Sequence, residues 1–245
     1  MKMAGILLLY ILGIYFLLTK MVQLEDETVV GVKKTHKELS GSAPSSNEKA
    51  IQYVASNMIK EAPKIAITFD DGPSAAWTPK LLDGLKERNV KATFFLIGEN
   101  AENTPELVKR ESEEGHLVGN HTYHHVEITR VPDETAKEEI VMTNEVITGI
   151  TGEEVSYMRP PFGAWQKKLE WELDVMPVMW TIDPLDWTTN NEDEIVNKVV
   201  TQAKENDIIL LHDCYESSVN AALRIVDILQ KEGFEFVTVD ELIMN

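Results

Sequence analysis

Ile65-Ala66-Ile67-Thr68-Phe69-Asp70-Asp71-Gly72-Pro73 is the stretch that organises the rest of the chain. Its first five residues form a short apolar run bounded by turn formers, the pattern of a buried strand. Gly72-Pro73 ends that strand sharply. Two carboxylates are thereby left at a strand C-terminus, which is where α/β barrels place their active sites. Consecutive strand residues face opposite ways, so Asp70 and Asp71 are expected to do different jobs.

Outward from this run, strand-like segments recur at 92–96, 155–158, 177–181, 207–211 and 235–238. Helical patterns lie at 78–88, 104–114, 133–149, 192–205 and 217–231. Strands alternating with helices predict a parallel sheet flanked by helices. Periodicity alone does not separate an open sheet from a barrel. No internal repeat is visible.

Four further stretches carry side chains able to do chemistry: His121-Thr122-Tyr123-His124-His125, Arg159-Pro160-Pro161-Phe162-Gly163, Asp183-Pro184-Leu185-Asp186-Trp187 and Leu210-Leu211-His212-Asp213. His121 and His125 are four apart, so on a helical turn both imidazoles would point the same way. That spacing suits a divalent first-row metal, and a carboxylate from elsewhere would complete a two-histidine, one-carboxylate set with a position left open. Each stretch alone has an ordinary reading: a turn, a solvated helix face, an N-cap or a loop. Their occurrence together, in one domain and in this order, points to metal-assisted hydrolysis. His36, His116 and His124 lack such company and read as ordinary polar residues.

These motifs resemble those of carbohydrate esterase family 4, the polysaccharide deacetylases with a NodB-homology domain. The resemblance covers about Pro63 to Asn245 and includes the linking segments Lys91–Gly98 and Gly115–Asn120; it departs at Phe162, where the family more often has Tyr. It implies a distorted, incomplete (β/α) barrel with the motifs around one mouth. It also implies roles. Asp71, His121 and His125 would hold one divalent metal, with zinc expected and cobalt, nickel or manganese able to take such a site. Asp70 would be the general base, paired with Arg159, and His212 the general acid, hydrogen-bonded by Asp183. The backbone N–H of Phe162 would help hold the oxyanion, and Trp187 and Leu211 would wall an apolar pocket for the acetyl methyl. The implied activity is removal of N-acetyl groups from N-acetylglucosamine residues of an extracellular polysaccharide, peptidoglycan foremost. An O-acetyl esterase acting on xylan, or a catalytically silent carbohydrate-binding domain, are the alternatives.

The formal charge of -18 argues against nucleic acid and against docking on an anionic membrane surface. The single cysteine, Cys214, excludes an internal disulfide. Met3 to Leu18 is almost unbroken apolar sequence between Lys2 and Lys20, with no small-residue cleavage site after it. Residues 1–21 are therefore expected to be an uncleaved transmembrane signal anchor. A polar linker follows over 22–62, with a short helix at Gln52–Lys60, and then the catalytic domain over 63–245. This organisation places a single-pass protein in the cell membrane with its catalytic domain on the cell-wall side, the anchor being the membrane contact.

Overall fold

Every residue from Ile65 to Phe69 is fully buried, so the first strand, β1 (Lys64–Asp70), is covered on both faces. It is central because its backbone is paired on both edges. On one side it runs parallel to β6 (Ile208–His212), with Asp70 opposite His212; on the other it runs parallel to β2 (Thr93–Leu96). β3 (Leu117–Asn120), β4 (Tyr157–Met158) and β5 (Met176–Pro177) extend the sheet beyond β2, giving the order β5-β4-β3-β2-β1-β6, and β7 (Glu235–Phe236) pairs with the start of β1. All of these pairings are parallel. The computed structural model describes residues 61–167, 169 and 173–244.

One short segment draws the sheet round. At its beginning the Val178 N–H donates to Met158 O on β4 at 2.8 Å; at its end Ile182 O accepts from Leu210 N on β6 at 2.9 Å, with Ile182 opposite Ile209 in parallel register. The predicted strand at 177–181 is therefore divided between the two edges of the sheet. The result is a curled parallel-sheet half-barrel.

Helices α1 (Thr78–Glu87), α2 (Gly98–Asn103), α3 (Pro105–Glu113), α4 (Asp133–Thr151), α5 (Glu192–Val200), α6 (Glu216–Lys231) and α7 (Val239–Ile243) surround it. Ile65, Ile67 and Phe69 pack with Leu81, Leu82 and Leu85 of α1 and Ile225 and Leu229 of α6 in one core cluster. Each such side chain contributes about 1.5–3 kcal/mol on burial. All five predicted helices are present. β3, α2 and α7 were not expected. β3 lacks an apolar run because Gly119 has to be small: a Cβ there would meet the Phe95 ring at 2.7 Å and Tyr157 O at 2.9 Å.

The predicted anchor and the Gln52–Lys60 helix lie outside the described residues, as does the linker except for Glu61 and Ala62. No helix among the described residues is long and apolar enough to cross a membrane.

Candidate active site

The five chemistry-bearing stretches meet at the C-terminal end of the strands. β1 stops at Asp70, and Asp71 follows with φ 70°, in the left-handed region. The alternation expected for a continuing strand therefore does not apply. Both carboxylates face His121, whose Nε2 lies 3.9 Å from Asp70 Oδ2 and 3.3 Å from Asp71 Oδ1.

The two histidines converge by another route than the predicted helical turn. Residues 121–125 form a loop after β3, with Thr122 at φ 61° and His125 at φ 55°. Neighbouring polar groups hold this backbone. Asn120 Oδ1 accepts from Thr122 N at 2.8 Å. Glu139 on α4 accepts from His124 N at 2.7 Å and from His124 Nδ1 at 2.8 Å. The loop brings His125 Nε2 to 3.3 Å from Asp71 Oδ1, the same distance as His121 Nε2.

Asp71, His121 and His125 are the one group among the described residues whose ligand atoms gather within 4.8 Å. Two observations favour a cation between them. Asp71 Oδ1 is buried and has no hydrogen-bond partner. His121 Nδ1 donates to the Arg159 carbonyl at 2.6 Å, so its Nε2 presents a lone pair, as a ligand must. Burial, and then the neighbouring His121, lower the pKa of His125, favouring the neutral imidazole that a metal needs. Burial raises the pKa of Asp71, but the three histidines His121, His212 and His125 outweigh it and leave it lowered.

Arg159 is fully buried. Its Nη1 donates to Asp70 Oδ1 at 2.8 Å and to Thr68 Oγ1 at 2.6 Å, and its Nε to Val178 O at 3.1 Å. The guanidinium stacks over Phe95, 4.4 Å from the ring centre. The expected Arg159–Asp70 pair is therefore present, and both partners are buried.

The partner expected for His212 is corrected. Asp186, not Asp183, accepts from His212 Nδ1 at 2.8 Å and from His212 N at 2.9 Å. Asp183 Oδ1 instead accepts from Leu185 N at 2.8 Å, closing the turn that carries Asp186 inward. Leu185 takes φ 56° in that turn, and Asp186 is 1% exposed. Burial works against the His212 imidazolium, but the bond to Asp186 and the charges of Asp186, Asp70 and Asp71 outweigh it and push its pKa up to about 9.

A second correction concerns the pocket wall. Asp70, Asp71, His125, Asp183 and His212 line a cavity of 410 Å³ with Phe162, Trp180, Trp187, Leu210 and Tyr215. Leu211 is not in that wall: it is fully buried in the core with Ile209. Side chains two apart on a strand share a face, so Leu210 and His212 open to the cavity while Leu211 points behind the sheet. That parity was readable from the sequence. Trp180 and Tyr215 were missed because neither falls in a motif. Phe162, at φ 61°, and Trp187 remain largely exposed at the rim, and the Phe162 ring packs edge-on against His125 with centres 4.8 Å apart.

Known proteins share this sequence pattern and fold. Residues 57–178 match the model of the polysaccharide deacetylase family. The chain is 40% identical over 186 residues to a peptidoglycan-N-acetylglucosamine deacetylase of Bacillus cereus, covering 73% of this chain and 68% of that protein. It is 38% identical over 217 residues to the peptidoglycan-N-acetylglucosamine deacetylase PgdA of Listeria monocytogenes, covering 86% of this chain but 46% of the Listeria protein. The solved structure of the peptidoglycan deacetylase PdaC from Bacillus subtilis matches with a TM-score of 0.73 at 37% identity, over 74% of this chain and 90% of that one. The chain belongs to the polysaccharide deacetylase family and is a hydrolase of that kind.

Proposed function

We propose that this protein is a metal-dependent deacetylase that removes the N-acetyl group from N-acetylglucosamine residues of peptidoglycan. The observation that carries the reading is the opposite pairing of two groups in one cavity: Asp70 bonded to a buried arginine, and His212 bonded to a buried aspartate. An amide is a poor electrophile with a poor leaving group, so its hydrolysis needs both a base and an acid. Asp71, His121 and His125 would hold the cation, for which zinc fits the ligand types. When bound there, the metal supplies Lewis-acid polarisation of the acetyl carbonyl and activation of water.

The remaining steps belong to the chain's own groups. Asp70, oriented by Arg159, takes a proton from the attacking water. The backbone N–H of Phe162 helps hold the developing oxyanion. His212, kept as imidazolium by Asp186, gives its proton to the leaving amine nitrogen. Trp187 and Leu210 offer an apolar wall for the acetyl methyl. The names of the relatives support peptidoglycan as substrate. The apolar stretch Met3–Leu18 supports a membrane anchor that presents the enzyme to the wall.

The test is acetate release by the protein from peptidoglycan, N-acetylglucosamine oligomers and acetylated xylan, with zinc, cobalt, nickel or manganese supplied singly. Release from peptidoglycan with a supplied metal is expected. Release from xylan alone would reassign the enzyme as an O-acetyl esterase. Binding of the oligomers without acetate release would make it a silent carbohydrate-binding domain.

A further inference from the structure

Asp213 follows His212, yet it does not line the cavity and is fully buried. Its Oδ2 accepts from the Thr78 hydroxyl, and Thr78 Oγ1 in turn accepts from the Ser74 N–H at 2.7 Å. Both carboxyl oxygens lie against Gly72: a Cβ at that position would meet Oδ1 at 2.4 Å and Oδ2 at 2.6 Å. Gly72 is not among the residues with positive φ, so the close approach of Asp213, and not backbone conformation, is what requires glycine there. On the other flank, Gly72 O accepts from Ile97 N at 3.1 Å and Asp71 O accepts from Asn100 Nδ2 at 2.8 Å.

The segment 71–74 is thus clamped from two sides. Asp71 sits inside the clamp in a left-handed conformation that a non-glycine residue keeps only when its surroundings impose it. We infer that Asp213 and Thr78 are positioning residues that hold the loop carrying Asp71 and thereby set the protein's affinity for its metal without touching the ion. The inference rests on Asp71 being a metal ligand, as proposed above.

The experiment is titration of the metal-free full chain with Zn²⁺, for wild type, Thr78→Val, Thr78→Ser, Gly72→Ala and the control Thr238→Val. Thr238 is also buried, and its hydroxyl caps α7 next to β7, at the opposite end of β1 from Asp70. Thr78→Val and Gly72→Ala are each expected to weaken Zn²⁺ binding by roughly tenfold or more, the range typical of residues that orient metal ligands. Thr78→Ser restores the donor and the acceptor and is expected to restore affinity; Thr238→Val is expected to leave it unchanged. Wild-type affinity in Thr78→Val or Gly72→Ala overturns the inference. Equal weakening in Thr78→Val and Thr238→Val also overturns it, because that result reports general loosening. If Gly72→Ala does not fold, the Thr78 variants read against Thr238→Val decide alone. Wild-type protein that binds no Zn²⁺, or binding that survives Asp71→Asn, overturns the metal reading itself and this inference with it.

Discussion

The carbonyl oxygen of Arg159 accepts from His121 Nδ1 at 2.6 Å, while the guanidinium of the same residue donates to Asp70 at 2.8 Å. One residue thus orients a proposed metal ligand with its backbone and the proposed base with its side chain. The two contacts can be separated by mutation, because only the second depends on side-chain identity.

Arg159→Met is therefore expected to retain Zn²⁺ binding and to lose turnover. It strands the Asp70 carboxyl without its cation, and breaking a buried pair from one side typically costs about 3–5 kcal/mol. Denaturant unfolding together with metal titration checks both parts. Loss of metal binding in a folded variant would show that the backbone contact does not stand by itself.

The neighbouring aspartates should divide by function. Asp70→Asn should bind Zn²⁺ and lose most acetate release, a drop of about 10²-fold or more for a general base. Asp71→Asn should lose affinity for the ion. Equal losses of metal in the two variants would mean that the roles are assigned wrongly.

His212 should set the alkaline limit of activity. As the proposed acid it donates from its protonated form, whose pKa is raised to about 9, so activity should be present below that value and lost as pH rises through it. A cation at the Asp71 site repels the imidazolium and moves the limit downward. Asp186→Asn removes the first of the raising influences, so its limb should lie at lower pH than wild type, whereas Asp183→Asn should leave the limb in place. pH–rate profiles of the three proteins decide this. A limb that moves only in Asp183→Asn would restore the partner expected from the sequence.

Leu210 and Leu211 offer a test of strand parity. Leu211→Ala opens a hole in the core and should cost about 2–5 kcal/mol of stability, with activity per folded molecule little changed. Leu210→Ala should be milder in stability and should raise KM or lower kcat for the acetylated substrate. The reverse pattern would place Leu211 in the pocket wall after all.

His116 should contribute to acid sensitivity. It is 6% exposed, Nδ1 accepts from Ala92 N at 3.1 Å, and burial lowers its pKa to about 4. In the unfolded chain the ring takes a proton near pH 6.5; in the folded protein it does not until about 4. Stability is therefore fully present above pH 6.5 and declines as pH falls towards 4, by about 3 kcal/mol in total. His116→Asn keeps an acceptor near the Nδ1 position but cannot titrate. Its unfolding free energy should vary less over that window than the wild type's.

Much of this arrangement is legible in the sequence. The run from Ile65 to Phe69 announces an interior strand because five consecutive strand residues are all buried only where both faces of the sheet are covered. The histidine pair of the proposed metal site is legible from its spacing and Asp71 from the family resemblance, but the manner of their convergence is not. A spacing of four suggests a helix, while the left-handed turns at Thr122 and His125 depend on grips from Asn120 and Glu139, one of them distant in the chain. The exchange of Asp183 for Asp186 has the same origin. Both stand in one motif, and which of them reaches His212 is settled by the turn at Leu185, where ordinary side chains rarely adopt that conformation.

Seven non-glycine residues among those described have positive φ, and five of them, Asp71, Thr122, His125, Phe162 and Leu185, stand in the motif loops. A left-handed conformation costs a non-glycine residue roughly 1–2 kcal/mol. The mouth that carries the proposed catalytic groups is therefore also the natural target for anyone seeking a more heat-resistant enzyme. Glycine at exposed Leu185 would relieve the backbone, yet it would also free the turn that delivers Asp186 to His212. Thermostabilising screens that score folding alone should be drawn to these positions and should return sluggish catalysts, whereas substitutions on the outer faces of the helices should raise heat tolerance without that penalty.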